Sequence, residues 1–257
     1  MQWLLSGLLS VALLAAVPFP AVAEDGLRCE MPADLTTPSD PLTHVAGALK
    51  ATNHLEILAL GSGSTVGDTS AAAGAALSYR APQASFPYRM VENLRAIRPA
   101  GQFQLTVRGG REMTAEMMVP ILQQELAAHH YDLVLWQTGT VEAVRGLSPD
   151  GLHDILQEGA DAAAKADVDL VLIDPQFSRF LRANADVSPY ETVLQKMAGN
   201  PDVTLFHRFD LTQLWVGNGE IDLERATREH RDETVALLNR CLGEALARYV
   251  LAGAGGY

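Results

Sequence analysis

Short runs of β-branched and leucine residues alternate along the chain with longer segments in which apolar positions return every three or four residues. The runs are 55–60 (LEILAL), 103–107 (FQLTV), 132–136 (DLVLW), 168–173 (VDLVLI) and 203–206 (VTLF). Such brief, nearly continuous apolar stretches suit strands buried on both faces. Between and after them, segments 86–97, 113–129, 148–165, 188–198 and 231–251 carry a helical period. Strand-helix alternation predicts an α/β fold with a parallel sheet covered on both faces. Sites in such folds form beyond the carboxyl ends of strands, so the loops after Leu60, Val107, Gln137 and Ile173 are where chemistry is expected.

Outside this pattern stand three stretches. Residues 3–17 (WLLSGLLSVALLAAV) form an uncharged apolar run that ends in a Pro-rich stretch and Ala21-Val22-Ala23. This reads as a secretory signal peptide, residues 1–23, cleaved before Glu24; the run is shorter than the roughly 20 residues of a membrane-spanning helix, and no span is expected after cleavage. Residues 66–85, rich in Ala, Ser and Gly, predict a surface excursion that can serve as a lid or as a spacer. Residues 252–257 (AGAGGY) predict a flexible tail, leaving 24–257 as a single domain.

Export gives Cys29 and Cys241 a meaning, because disulfides persist outside the cytosol; a bridge would pin the amino-terminal arm to the last helix, the alternative being two unpaired buried thiols. They lack the short spacing of redox or zinc motifs, and no metal site is expected. The chain holds 19 Lys+Arg against 31 Asp+Glu, a net charge of −12, and a pI near 4.9. That balance argues against nucleic acid and against anionic membrane surfaces as partners.

Three stretches together resemble the SGNH (GDSL-type) hydrolase family: ILALGSGSTVG at 57–67, FPYRMVENLRAIRP at 86–99 followed by VRGG at 107–110, and YDLVLWQTGTVEAVRG at 131–146. The resemblance spans most of the mature chain in order. It implies a three-layer α/β/α, flavodoxin-like sheet of about five strands, periplasmic or secreted, and ester hydrolysis on carbohydrate or lipid substrates.

Residue by residue, the blocks depart from that family. Its first block is Gly-Asp-Ser-x-Thr with Ser as nucleophile; aligned on Gly61 and Thr65, the Ser position holds Gly63, which has no hydroxyl. Gly109 or Gly110 can still offer the second block's backbone N–H to an oxyanion, although a glycine after a strand also suits a tight turn. The third block, Gly-x-Asn-Asp, reads Gly139-Thr140-Val141-Glu142, and Val141 cannot donate. Counted back from Cys241, the family's Asp-x-x-His falls on His230 to Glu233. An intact Asp150-Gly151-Leu152-His153 stands elsewhere, where Ser148-Pro149-Asp150 also reads as a helix start.

The expectation is a non-catalytic binding or accessory protein of the envelope, with a carbohydrate or acylated ligand and a polysaccharide or lipid system as partner. The alternative is an ester hydrolase with a displaced nucleophile, Ser64 or Ser62, and His153 or His230 as base. A phosphate cradle for a flavin over residues 61–69 is a third reading, which export and the Ala-rich excursion disfavour. No cofactor is expected.

Overall fold

A computed structural model describes residues 29–67, 82–227 and 229–256. The expected signal peptide and most of the Ala-rich excursion lie outside the described residues. Five strands form one sheet: β1 (His54–Gly61), β2 (Gln102–Gly109), β3 (Leu133–Gln137), β4 (Asp169–Ile173) and β5 (Val203–Phe206). Their order is β2-β1-β3-β4-β5 and every pair is parallel. Each corresponds to one of the five apolar runs. β3, β4 and β5 are buried at every position, which is why they read as continuous rather than alternating.

Helices cover both faces, and strand side chains divide between them with period two. Leu55, Ile57 and Ala59 of β1 join one core cluster, together with residues of α1 (Thr43–Ala51), α3 (Phe86–Ile97), α9 (Arg208–Gly217) and α10 (Arg231–Gly253). Leu58 and Leu60 face the other, with α4 (Ala115–Ala128), α6 (Pro149–Lys165) and α8 (Ser188–Met197). Three short helices, α2 (Gly63–Val66), α5 (Thr140–Arg145) and α7 (Arg179–Asn184), follow β1, β3 and β4 at their carboxyl ends. Close approach is built in with glycine: a Cβ on Gly159 of α6 would stand 2.2 Å from the Trp136 ring, and one on Gly243 of α10 would stand 2.7 Å from the Arg89 carbonyl carbon.

The five long helices expected from periodicity are present. Helices α1 and α9 were not expected. In α1 only Val45 and Leu49 are buried and Gly47 interrupts the segment, leaving too few apolar turns to register. In α9 the buried set includes a cation, Arg208, and a hydroxyl, Thr212. At the other end, α10 runs to Gly253, beyond the expected end at 251; the Gly253 carbonyl accepts the Leu42 amide at 2.9 Å, and a Cβ there would meet Leu42 and Pro38. Residues 252 and 253 are therefore helix rather than tail.

Cys29 and Cys241 form a disulfide with 5.9 Å between their Cα atoms. Beside it the Trp215 indole donates to the Glu30 carbonyl at 2.7 Å, so the arm before α1 is held by a covalent bond and a hydrogen bond. At the amino end of β4, Asp169 Oδ2 accepts the Val45 amide at 2.9 Å, satisfying a free N–H of the first turn of α1. Burial pushes the Asp169 carboxyl up to about 6, against the opposing pull of that amide. Among the described residues, no helix is long and apolar enough to cross a membrane.

Candidate functional site

The loops at the carboxyl ends of all five strands converge, and the first is organised by one side chain. Gln137, the last residue of β3, is 1% exposed. Its Oε1 accepts the Ser62 hydroxyl at 2.9 Å, the Ser62 amide and the Thr65 hydroxyl at 3.1 Å each, and more loosely the Ser64 hydroxyl at 3.4 Å. Gly63 lies between the two serines, at the first position of α2. A nucleophilic hydroxyl must hand its proton to a base. A neutral amide oxygen accepts a hydrogen bond and takes no proton.

The second and third loops spend their backbone donors locally. Gly109 sits at φ +118°, where a Cβ would lie 1.9 Å from the Gly61 carbonyl oxygen, so only glycine fits. The Gly110 amide donates to that same oxygen at 3.2 Å, so this expected oxyanion donor is already engaged. Gly139, at φ +89°, opens α5, and its amide donates to Glu142 Oε2 at 2.9 Å. Glu142 Oε1 takes the Ala115 amide at 2.6 Å and the Thr138 hydroxyl at 3.3 Å. Glu142, read from sequence as a degenerate oxyanion-block residue, is a buried brace joining the starts of α4 and α5. Val141 is half-buried and its side chain offers no donor, whereas the buried Thr140 Oγ1 is without a partner among the described residues.

Two buried charges that sequence reasoning passed over complete the floor. Arg208 at the start of α9 is 2% exposed, donates from Nη1 to the Ser64 hydroxyl at 3.2 Å, and holds its guanidinium 6.0 Å from the Phe86 ring centroid. Asp174, directly after β4, accepts the Phe209 amide at 2.7 Å. Burial drives the Asp174 carboxyl well above its usual range, with the Phe209 amide and the Arg208 charge pulling the other way. Burial likewise lowers the Arg208 guanidinium to about 10, opposed by Asp174. The signal for both was a charged residue within two positions of the end of a buried strand, in LIDP and LFHR.

The two candidate bases stand apart from these hydroxyls. His153 lies on the first turns of α6, with its side chain 44% exposed and 3.5 Å from Asp154. Its Asp-x-x-His segment is a helix start: Ser148 accepts the Gly151 amide at 3.2 Å and Pro149 opens α6. His230 precedes α10, exposed, and pairs with Glu233 at 3.1 Å. Among the described residues, no histidine hydrogen-bonds to Ser62 or Ser64.

A cavity of about 90 Å³ opens between the segment after β4, α9 and the segment before α10. Phe177, Trp215, Leu223 and Leu238 supply apolar walls, and Asp222 and Glu224 an acidic rim. The rim is braced by Ser178 donating to Glu224 at 2.6 Å and Arg179 donating to Asp222 at 2.7 Å.

Comparison with known proteins places this architecture. Residues 28–256 match the Non-GDSL lipase-like family. No curated protein matches the sequence. Among solved structures, a catalytic mutant of Axe2, an acetylxylan esterase from Geobacillus stearothermophilus, aligns with a TM-score of 0.57 at 13% identity, over 79% of this chain and 95% of that one. LAE5, an alpha/beta hydrolase enzyme from the metagenome of Lake Arreo, Spain, aligns with a TM-score of 0.56 at 15% identity, over 75% of this chain and 96% of that one. At such identities the likeness is one of fold, and it agrees with the family match. The chain belongs to the Non-GDSL lipase-like family, built on the α/β fold of the SGNH and GDSL hydrolases.

Proposed function

We propose that this chain is an exported, non-catalytic member of its family, a binding or accessory protein of the cell envelope that uses the hydrolase scaffold without ester cleavage. The observation that carries the reading is the hydrogen bonding of the first loop: Gly63 stands where the nucleophile is expected, and the flanking Ser62 and Ser64 hydroxyls point their protons at the Gln137 amide oxygen. Arg208 supplies a second group at Ser64 that cannot act as a base at neutral pH. Removing a nucleophile alone costs on the order of 10⁶ in turnover, because such groups act as a unit.

The ligand in this reading is a carbohydrate or an acylated molecule. The cavity beside α9, of about 90 Å³, suits a short acyl group because Phe177, Trp215, Leu223 and Leu238 give it apolar walls. The disulfide fits an oxidising compartment.

The test is turnover of short acyl esters and acetylated sugars by the purified, disulfide-bonded protein, with fluorophosphonate labelling read by mass spectrometry. No turnover and no label is the expected result. A label on Ser64 or Ser62, with turnover lost in the matching alanine variant, overturns the reading in favour of an ester hydrolase with a displaced nucleophile.

A further inference from the structure

At the opposite end of the sheet, three side chains from distant parts of the sequence converge. His44 lies in the first turn of α1, Asp169 opens β4 and Asp202 immediately precedes β5. One imidazole nitrogen and one carboxylate oxygen from each Asp lie within 4.8 Å of one another. Asp169 is 0% exposed, and although its Oδ2 takes the Val45 amide, its Oδ1 has no hydrogen-bond partner among the described residues. A carboxylate oxygen buried in that way costs free energy unless something fills its open side. The His44 charge and backbone amide favour the Asp169 carboxylate, yet among the described residues His44 forms no ion pair with Asp169 or Asp202. Asp202 instead adds a second negative charge beside the first, in a chain already at −12.

We propose that His44, Asp169 and Asp202 form a binding site for a divalent transition-metal ion of the zinc class. The donor set decides the class: an imidazole nitrogen disfavours calcium and magnesium, which take oxygen ligands, and one imidazole with two carboxylates suits zinc. Zinc bonds of about 2.0–2.2 Å set tetrahedral ligand atoms roughly 3.5 Å apart. His44 and Asp202, both half-buried, close the remaining distance by small side-chain rotations while Asp169 stays fixed by α1. Water takes the fourth position. The bound ion ties the start of α1 to β4 and β5, so its role is to hold the amino-terminal part of the fold, apart from the ligand face.

The experiment uses tag-free, disulfide-bonded protein stripped with a chelator, then incubated with ZnCl₂ and passed through gel filtration before metal analysis. About one zinc per chain is expected, with a rise in thermal midpoint of about 5 °C at 100-fold excess over Kd, reversed by chelator. Equal concentrations of Mg²⁺ leave the midpoint in place. Asp202→Asn and His44→Ala, substitutions at half-buried positions, match the wild-type midpoint in chelator and lose zinc affinity at least tenfold. Absence of zinc uptake by the wild type, an equal response to Mg²⁺, or unchanged uptake by both variants overturns the proposal.

Discussion

Arg208 Nη1 donates to the Ser64 hydroxyl at 3.2 Å, joining residues 144 positions apart across the carboxyl end of the sheet. The same guanidinium lies beside the buried Asp174, and its Nε is without a partner among the described residues. Arg208 is thus a buried charge with one opposing charge nearby. Replacing it by Met removes the charge that opposes burial at Asp174, so the Asp174 carboxyl rises further and a loss of about 1–3 kcal/mol is expected. Adding Asp174→Asn recovers much of that loss. Urea unfolding of the two single variants and the double variant reads the coupling directly.

Gln137→Leu strips the acceptor from Ser62 and Thr65, and the buried Thr65 hydroxyl, the half-buried Ser62 hydroxyl and the Ser62 amide then face an apolar side chain. A loss of about 2–4 kcal/mol is expected, seen as a lower urea midpoint. The chemical counterpart is Gly63→Ser. Restoring a hydroxyl at the nucleophile position leaves short-ester turnover at background, because no histidine among the described residues hydrogen-bonds to this loop. Turnover well above background in that single variant, measured on short acyl esters, contradicts the expectation.

At Gly109, alanine combines a positive φ of +118° with a Cβ only 1.9 Å from the Gly61 carbonyl oxygen. The β1 and β2 carboxyl ends must separate, so Gly109→Ala is expected to cost more than about 3 kcal/mol or to abolish soluble expression. Gly110→Ala is the control. Its Cβ meets only the Met113 side chain, at 3.5 Å, and it is expected to fold with a thermal midpoint close to wild type.

Glu125 sets part of the acid response. Burial pushes its carboxyl up, yet the Tyr131 hydroxyl at 2.6 Å and the Arg108 guanidinium at 2.6 Å outweigh burial and hold it below its ordinary 4.5. A carboxyl lowered on folding adds stability that is complete above its unfolded value and is lost as pH falls through the folded one. Tyr131→Phe removes one of those donors. The stability gap between wild type and this variant, measured by urea unfolding, is therefore expected to be widest at pH 7 and to narrow below about pH 4.5.

How much of this was legible in the sequence depends on where each element draws its stability. Strands β3, β4 and β5 could be read because burial on both faces leaves runs such as VDLVLI without a polar interruption, whereas β2, in which only Phe103 is buried, was expected to be covered on both faces and is instead a largely exposed edge strand; α3 was readable through its buried Phe86, Met90 and Leu94. Helix α1 escaped because it owes its start to Asp169, more than a hundred residues later in the chain. The site divides in the same way. Gly63 and Gly139 could be placed by local spacing, whereas the meeting of Arg208 with Ser64 requires the sheet order that brings the ends of β1 and β5 to one face. Gln137 stood in a recognised block, but only the fold shows that its amide gathers the hydroxyls of the preceding loop.

The Cys29–Cys241 bond makes everything between those two residues one closed covalent ring. A protease that cuts the backbone once inside that ring opens it without freeing a fragment. On a non-reducing gel the clipped chain stays a single molecule, and its intact mass changes only by the added water. Two pieces separate once the sulfurs are reduced. Limited proteolysis therefore has to be run in both conditions, and a single cut whose products appear without reductant lies before residue 29 or after residue 241.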